Sequence, residues 1–161
     1  MVGVDCGTND PMVLALFAIL NEGGMLKLHL CDLFYEPGKN MSISLGEVAE
    51  RWRSLNPFFV VDPSASPAIV ELRARGFRVE PANNKIKEGI TIMGDLINSD
   101  RFTVEPQYSK KFLEEVLVYE LNPRTDLPFG NTEDHLADAS RYACSAFLGE
   151  KYRDSQQFYI F

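Results

Sequence analysis

Two short apolar runs in this chain each end on an aspartate: Val2-Gly3-Val4 leads to Asp5, and Phe58-Phe59-Val60-Val61 leads to Asp62. The second run has no polar alternation, the pattern of a strand covered on both faces, so the chain has to surround a sheet with helices. A carboxylate at such a strand tip is poorly solvated on its strand side and costly unless a cation or a hydrogen-bond donor meets it. A third aspartate, Asp138, lies in the helical stretch Asp134-His135-Leu136-Ala137-Asp138-Ala139, three residues from His135 and on the same face. Two strand-tip carboxylates with a helix-borne carboxylate and histidine point to a divalent-metal site.

The surrounding pattern begins with strands. Val2 to Asp5, Met12 to Leu20 and Met25 to Phe34 read as three, the last two joined by the turn residues Asn21-Glu22-Gly23-Gly24. In the third, Leu26, Leu28 and Leu30 alternate with Lys27, His29 and Cys31, which puts His29 on the more polar face as a surface residue. Leu45, Val48, Ala49 and Trp52 recur at helical spacing behind Ser44, read as an N-cap with Glu47 three residues on. Helices are expected over 67–75, 86–98, 109–121 and 132–148, with extended pieces at 77–79 and 101–105. A hairpin, then alternating strands and helices, then closing helices give an α/β fold: an RNase H-like mixed sheet flanked by helices. Parallel strands of such a sheet present functional groups at their carboxyl ends, where Asp62 falls.

With 161 residues, 45% hydrophobic and 24% charged, the chain reads as one domain, 1–161, with a sizeable core. No stretch approaches the roughly 20 apolar residues of a membrane span, and no basic segment precedes an apolar one at the N-terminus, so neither a membrane nor secretion is expected. Three widely spaced cysteines without a C-x-x-C pair support neither zinc nor a disulfide framework, and fit free thiols in a reducing cytoplasm. The net charge of -7 argues against a protein that grips nucleic acid by bulk electrostatics. It does not argue against a cutting site, because phosphodiester chemistry with metals requires clustered carboxylates.

Each aspartate also has a plainer reading. Asp5 could form a turn before Gly7-Thr8-Asn9-Asp10. Asp62 could cap the next helix, although Ser66-Pro67 makes a better start and leaves Asp62 without a structural task. Asp134 suits the first turn of a helix, and Asp138 suits it less well. Tyr108, Phe112, Leu113 and Tyr119 could offer a base-stacking platform, but their helical spacing places them in a core or interface, with no role toward DNA. Arg51, Arg53, Arg73, Arg75, Arg78, Lys85 and Lys87 are better candidates for phosphate contact, most of them being ordinary solvated helix charges.

In order and spacing, Val2-Gly3-Val4-Asp5-Cys6-Gly7-Thr8, then Val60-Val61-Asp62-Pro63-Ser64-Ala65, then Asp134-His135-Leu136-Ala137-Asp138-Ala139-Ser140-Arg141-Tyr142-Ala143 resemble the C-terminal nuclease domain of tailed-phage large terminases. The resemblance spans nearly the whole chain, including Pro81-Ala82-Asn83-Asn84-Lys85 before a helix with Gly89-Ile90. It implies an endonuclease that cuts concatemeric viral double-stranded DNA during genome packaging in the host cell cytoplasm, with little sequence preference. It further implies Asp5, Asp62 and Asp138 as metal ligands, and His135 as an accessory residue of the same catalytic site. On that reading two divalent cations, Mg²⁺ or Mn²⁺, lie about 3.5–4 Å apart, one bridged by Asp5, with Asp62 and Asp138 completing the two sites. Asp134 or His135 would bind through water or orient a ligand. Removing one carboxylate is expected to relieve repulsion in the metal-free protein.

The family is similar in having an N-terminal packaging ATPase, but no G-x-x-x-x-G-K-[ST] phosphate loop occurs here. The resemblance therefore implies a nuclease domain that works beside an ATPase domain, a portal and a small terminase subunit supplied by the longer protein and its assembly. A lysine that the family often carries before its Asp-His pair is replaced by Phe129-Gly130-Asn131-Thr132-Glu133. Two other classes remain open. Gly3-Val4-Asp5-Cys6-Gly7-Thr8 also resembles the first phosphate motif of actin-like ATPases and sugar kinases, which need a second domain that this length does not supply. The domain could also be a non-catalytic portal-docking module.

Overall fold

The computed structural model describes residues 1–6, 11–36, 41–119, 122, 124 and 134–149, with 41–44 as backbone only. Strands β1 (Val2–Cys6), β2 (Met12–Glu22) and β3 (Met25–Glu36) come first, followed by helix α1 (Met41–Arg51) and a short 3₁₀ turn. Then β4 (Phe58–Val61), α2 (Ser66–Ala74), β5 (Arg78–Pro81), α3 (Ile86–Asn98), β6 (Phe102–Val104), α4 (Pro106–Val116) and α5 (His135–Leu148) complete the described chain. The strands form one mixed sheet in the order β5-β4-β1-β2-β3-β6. β1 runs antiparallel to β2, and β2 to β3, while β1, β4 and β5 are mutually parallel and β6 lies parallel to β3.

Side chains alternate across this sheet, and each face is buried under its own helices. Val2, Val4, Phe59 and Val61 pack against Leu45, Val48 and Leu72 on the α1 and α2 side. Val13, Ala15, Phe17, Leu28 and Leu30 pack against Met93, Leu96, Phe112, Leu136 and Ala139 of α3, α4 and α5 on the other. Because β1 and β4 lie inside the sheet and are covered twice, their apolar runs show no polar alternation.

The β2–β3 hairpin turns through Gly23 and Gly24, at φ 61° and 90°, the doubly left-handed conformation that a two-residue hairpin loop demands. Its pairing shifts between Leu16 and Phe17, which face Asp32 and Leu30 and leave Cys31 as an extra residue on β3. Just past that bulge, Asp32 ties both helix layers to the sheet: it accepts hydrogen bonds from Trp52 Nε1 at 2.9 Å and from the Tyr108 hydroxyl of α4 at 2.8 Å. His29 lies half-buried on the more polar face of β3, between the Thr103 hydroxyl at 2.8 Å and Glu105 at 3.2 Å.

Several boundaries differ from the sequence reading. α1 begins at Met41, so Ser44 lies inside the helix rather than capping it. α2 begins at Ser66 with Ala65 at the cap position and no side-chain cap; the Ala65 carbonyl already accepts the Ala68 and Ile69 amides, so the turn starts one residue early. α4 begins at Pro106, whose fixed φ suits the first helical position. Leu121 and Thr132, proposed as helix ends, lie outside the described residues. Cys6, Cys31 and Cys144 are free thiols, and among the described residues no helix is long and apolar enough to cross a membrane.

Candidate metal centre

The β1–β4 pairing brings two of the aspartates together. Val4 faces Val61 across the parallel pair, and the Asp62 amide continues the ladder by donating to the Val4 carbonyl at 3.1 Å. Asp5 and Asp62 are therefore the next residues along adjacent strands at their carboxyl ends. Val4 and Val61 belong to the α1–α2 face, so both aspartates point to the opposite face, toward α5.

Gly3 lets α5 come close. A Cβ there would collide with the Ala139 carbonyl, so only glycine permits the helix to lie directly on β1. Four helical residues rise about 6 Å and two strand residues about 6.7 Å. With Ala139 against Gly3, His135 therefore falls level with Asp5, and its Nδ1 sits 2.9 Å from Asp5 Oδ2. An ionised carboxylate can only accept, so Nδ1 carries the proton of that bond.

Asp5 is almost fully buried. Burial is the largest influence on its carboxyl and pushes it up to about 6; the His135 hydrogen bond opposes the rise, and the charges of Asp138 and Asp62 add to it. Asp62 accepts the Ser64 amide at 2.8 Å on Oδ1 and the Tyr142 hydroxyl at 3.1 Å on Oδ2. The first bond makes an Asx turn, so Asp62 has the structural task that its sequence context did not reveal. Tyr142 reaches it because helical side chains lean toward the helix N-terminus, which here is the carboxyl edge of β1 and β4.

Asp138 meets the Tyr119 hydroxyl, and Arg141 places Nε and Nη2 each 3.1 Å from the same oxygen, Oδ1. Burial, followed by the Asp138 charge, pushes the Tyr119 hydroxyl up, so it stays protonated and donates. Burial and the charges of Asp138 and Asp62 do the same for Tyr142. Arg141 itself is buried, so relief of repulsion is not the whole consequence of removing Asp138.

Asp134 occupies the cap position of α5 and makes no side-chain cap bond. That task falls to Glu115 of α4, whose buried Oε2 accepts the amides of Leu136 at 2.6 Å and Ala137 at 3.0 Å. A charged acceptor from another element thus satisfies the first turn of the helix that carries His135 and Asp138.

Arg141 and Tyr142 stand three and four residues after Asp138, a spacing that marks them as its neighbours. Tyr119 and Glu115 arrive from α4 and the turn behind it with no signal in the local sequence. Gly7 and Thr8, on which a phosphate-binding turn would rest, lie outside the described residues, as do Phe129–Glu133.

The donor set suits a hard divalent cation, because it offers carboxylate oxygens and an imidazole on one face of the sheet, with the buried Asp5 charge crowded by two others. Among the described residues, no group of three such side chains is arranged to enclose an ion as it stands. Each carboxylate is held by a protein donor instead.

Fold comparisons agree with this architecture. The full-length large terminase of a thermophilic bacteriophage superposes with a TM-score of 0.81 at 22% identity, over 92% of this chain and 40% of that one. The nuclease domain of the large terminase g2p from bacteriophage SPP1, with bound Mn, matches at a TM-score of 0.66 and 17% identity, over 95% of this chain and 85% of that one. The large terminase nuclease from thermophilic phage G20c, with bound magnesium, gives 0.66 and 17%, over 89% and 79%. The fold is thus the RNase H-like fold of the terminase nuclease domains, and the chain spans 40% of the length of the first of these proteins. No family model and no curated protein sequence matches the chain.

Proposed function

We propose that this chain is the nuclease domain of a viral DNA-packaging enzyme: a metal-dependent endonuclease that cuts double-stranded DNA with little sequence preference. The observation that carries the reading is the convergence of Asp5, Asp62 and the α5 pair His135 and Asp138 on one face, at the carboxyl edge of β1 and β4. The likeness of fold to nuclease domains holding Mn and magnesium supports it. Asp5, Asp62 and Asp138 would hold two divalent cations, Mg²⁺ or Mn²⁺, with Asp134 and His135 in accessory roles. Bound there, such ions activate water and stabilise the leaving oxygen of a phosphodiester.

The protein's own groups set the stage for that chemistry. Tyr142 fixes one oxygen of Asp62, the Asx turn fixes the other, and His135 orients Asp5. The carboxylates would have to turn from these donors toward a shared ion, a change of rotamer rather than of fold. In a packaging enzyme the domain would act beside an ATPase domain, a portal and a small subunit, in the host cell cytoplasm.

A plasmid-cleavage assay tests the reading. Linear and nicked products should appear with Mn²⁺ or Mg²⁺, vanish with a chelator, and vanish in Asp62→Asn. Cleavage that persists in the chelator, or no cleavage with either metal, would remove the proposal and favour a docking module.

A further inference from the structure

We propose that Arg141 and Tyr119 form a clamp on one oxygen of Asp138, and so act as positioning residues that present its other oxygen to the metal. The inference rests on the metal-dependent reading above and extends it to residues that touch no ion. Its basis is an asymmetry. An arginine held to a carboxylate for stability alone tends to lie fork to fork, with one nitrogen on each oxygen. Here Arg141 Nε and Nη2 both lie 3.1 Å from Oδ1, and the Tyr119 hydroxyl meets Oδ1 as well. Three donors converge on one oxygen, and among the described residues none meets Oδ2. One oxygen is saturated and the other is left to an outside partner.

The surroundings hold the guanidinium in that pose. Arg141 is only 1% exposed, its Cζ lies 4.6 Å from the Tyr142 ring centroid, and α3 passes it at Gly89, where an added Cβ would stand 2.6 Å from Arg141 Cγ. Its Nη1 is buried without a hydrogen-bond partner among the described residues, so the pose is not the one that satisfies every donor. Burying a cation at that cost makes sense where its direction matters, and the direction it sets is that of Asp138. Tyr142 couples the two sides of the site, packing its ring on Arg141 and bonding its hydroxyl to Asp62.

Mn²⁺ titration by calorimetry, with thermal melting of the metal-free proteins alongside, tests the clamp on the wild type, Tyr119→Phe and Arg141→Lys. Tyr119→Phe removes one oxygen atom, and Arg141→Lys keeps the charge while losing the fork. Mn²⁺ affinity should fall about 10- to 100-fold in each, the usual scale for losing an outer-shell partner. Tyr119→Phe should melt close to the wild type, separating positioning from folding; if Arg141→Lys fails to fold, Tyr119→Phe alone decides. Unchanged Mn²⁺ affinity in a folded Tyr119→Phe overturns the clamp while leaving the nuclease reading in place. A wild type that takes up no Mn²⁺ overturns both.

Discussion

Gly3 and Ala139 meet backbone to backbone: a Cβ on Gly3 would collide with the Ala139 carbonyl and stand 3.4 Å from the Ala143 Cβ. This contact seats α5 on β1 and brings His135 to Asp5. Gly3→Ala should therefore act twice, destabilising the domain by about 1–3 kcal/mol through overpacking and lifting the helix that carries half of the site. Urea denaturation and plasmid cleavage check both effects. A variant with a wild-type midpoint and full cleavage would mean that α5 does not depend on this contact.

The aspartates should separate by stability while failing alike in cleavage. Asp5→Asn removes a buried charge crowded by Asp62 and Asp138, so without metal the domain should melt at the wild-type temperature or above. Asp138→Ala leaves the buried Arg141 guanidinium without its counter-ion, a loss on the order of 3–5 kcal/mol. Both should abolish metal-dependent cutting. Equal melting temperatures for the two variants would contradict the burial of the Arg141 pair.

Much of this arrangement is legible in the chain, for reasons that also mark where legibility ends. The runs before Asp5 and Asp62 show no alternation because β1 and β4 are covered on both faces, and Gly23-Gly24 announces its turn because few other residues tolerate that backbone. His135, Asp138 and Tyr142 share a face by helical spacing alone. What spacing cannot reveal is a partner from elsewhere. Glu115 caps α5 from α4, Tyr119 bonds Asp138 from beyond the same helix, and neither has a local pattern that differs from an ordinary amphipathic helix. Tyr119, read as core or interface by its spacing, is instead a neighbour of the site. The bulge at Cys31 is equally silent, since the apolar alternation of β3 resumes on the other side of it.

Asp32 should make the domain sensitive to acid. Burial, the largest single influence, raises its carboxyl, but the bonds from Trp52, Tyr108, the Leu33 amide and the Arg51 charge together outweigh it, and the net shift is downward. A carboxylate lowered on folding adds stability above its unfolded value of about 3.9, and that contribution is lost as pH falls through the folded value. Asp32→Asn should thus cost about 1–3 kcal/mol at neutral pH, the scale of hydrogen bonds to a charged group. Below about pH 4 the gap to the wild type should narrow as the wild-type carboxyl takes up its proton. Urea midpoints of both proteins at about pH 7 and about pH 3, on either side of that value, check it; a gap of the same size at both would show that the ionised form of Asp32 is not what ties α4 and Trp52 to β3.

DNA binding by the domain alone should be weak and depend only shallowly on salt. The net charge is -7, and several basic side chains that could have met phosphates are engaged within the fold. Arg51 pairs with Asp32, Arg53 with Glu50 and Arg75 with Glu71, while Arg73 donates to the Val79 carbonyl. Lys85 pairs with Glu88 but stays largely exposed, in the loop after β5 whose Ala82 amide bonds Val61, one residue before Asp62. That places it at the same edge as the acidic site, where a phosphate backbone would have to pass. With so few cations to offer, the slope of log affinity against log salt should correspond to about two to four phosphate contacts. The measurement belongs on Asp62→Asn, so that cutting does not consume the duplex, and Lys85→Ala should shave roughly one contact from the slope. Nanomolar preference for one duplex at physiological salt would instead reveal a recognition surface in addition to this edge.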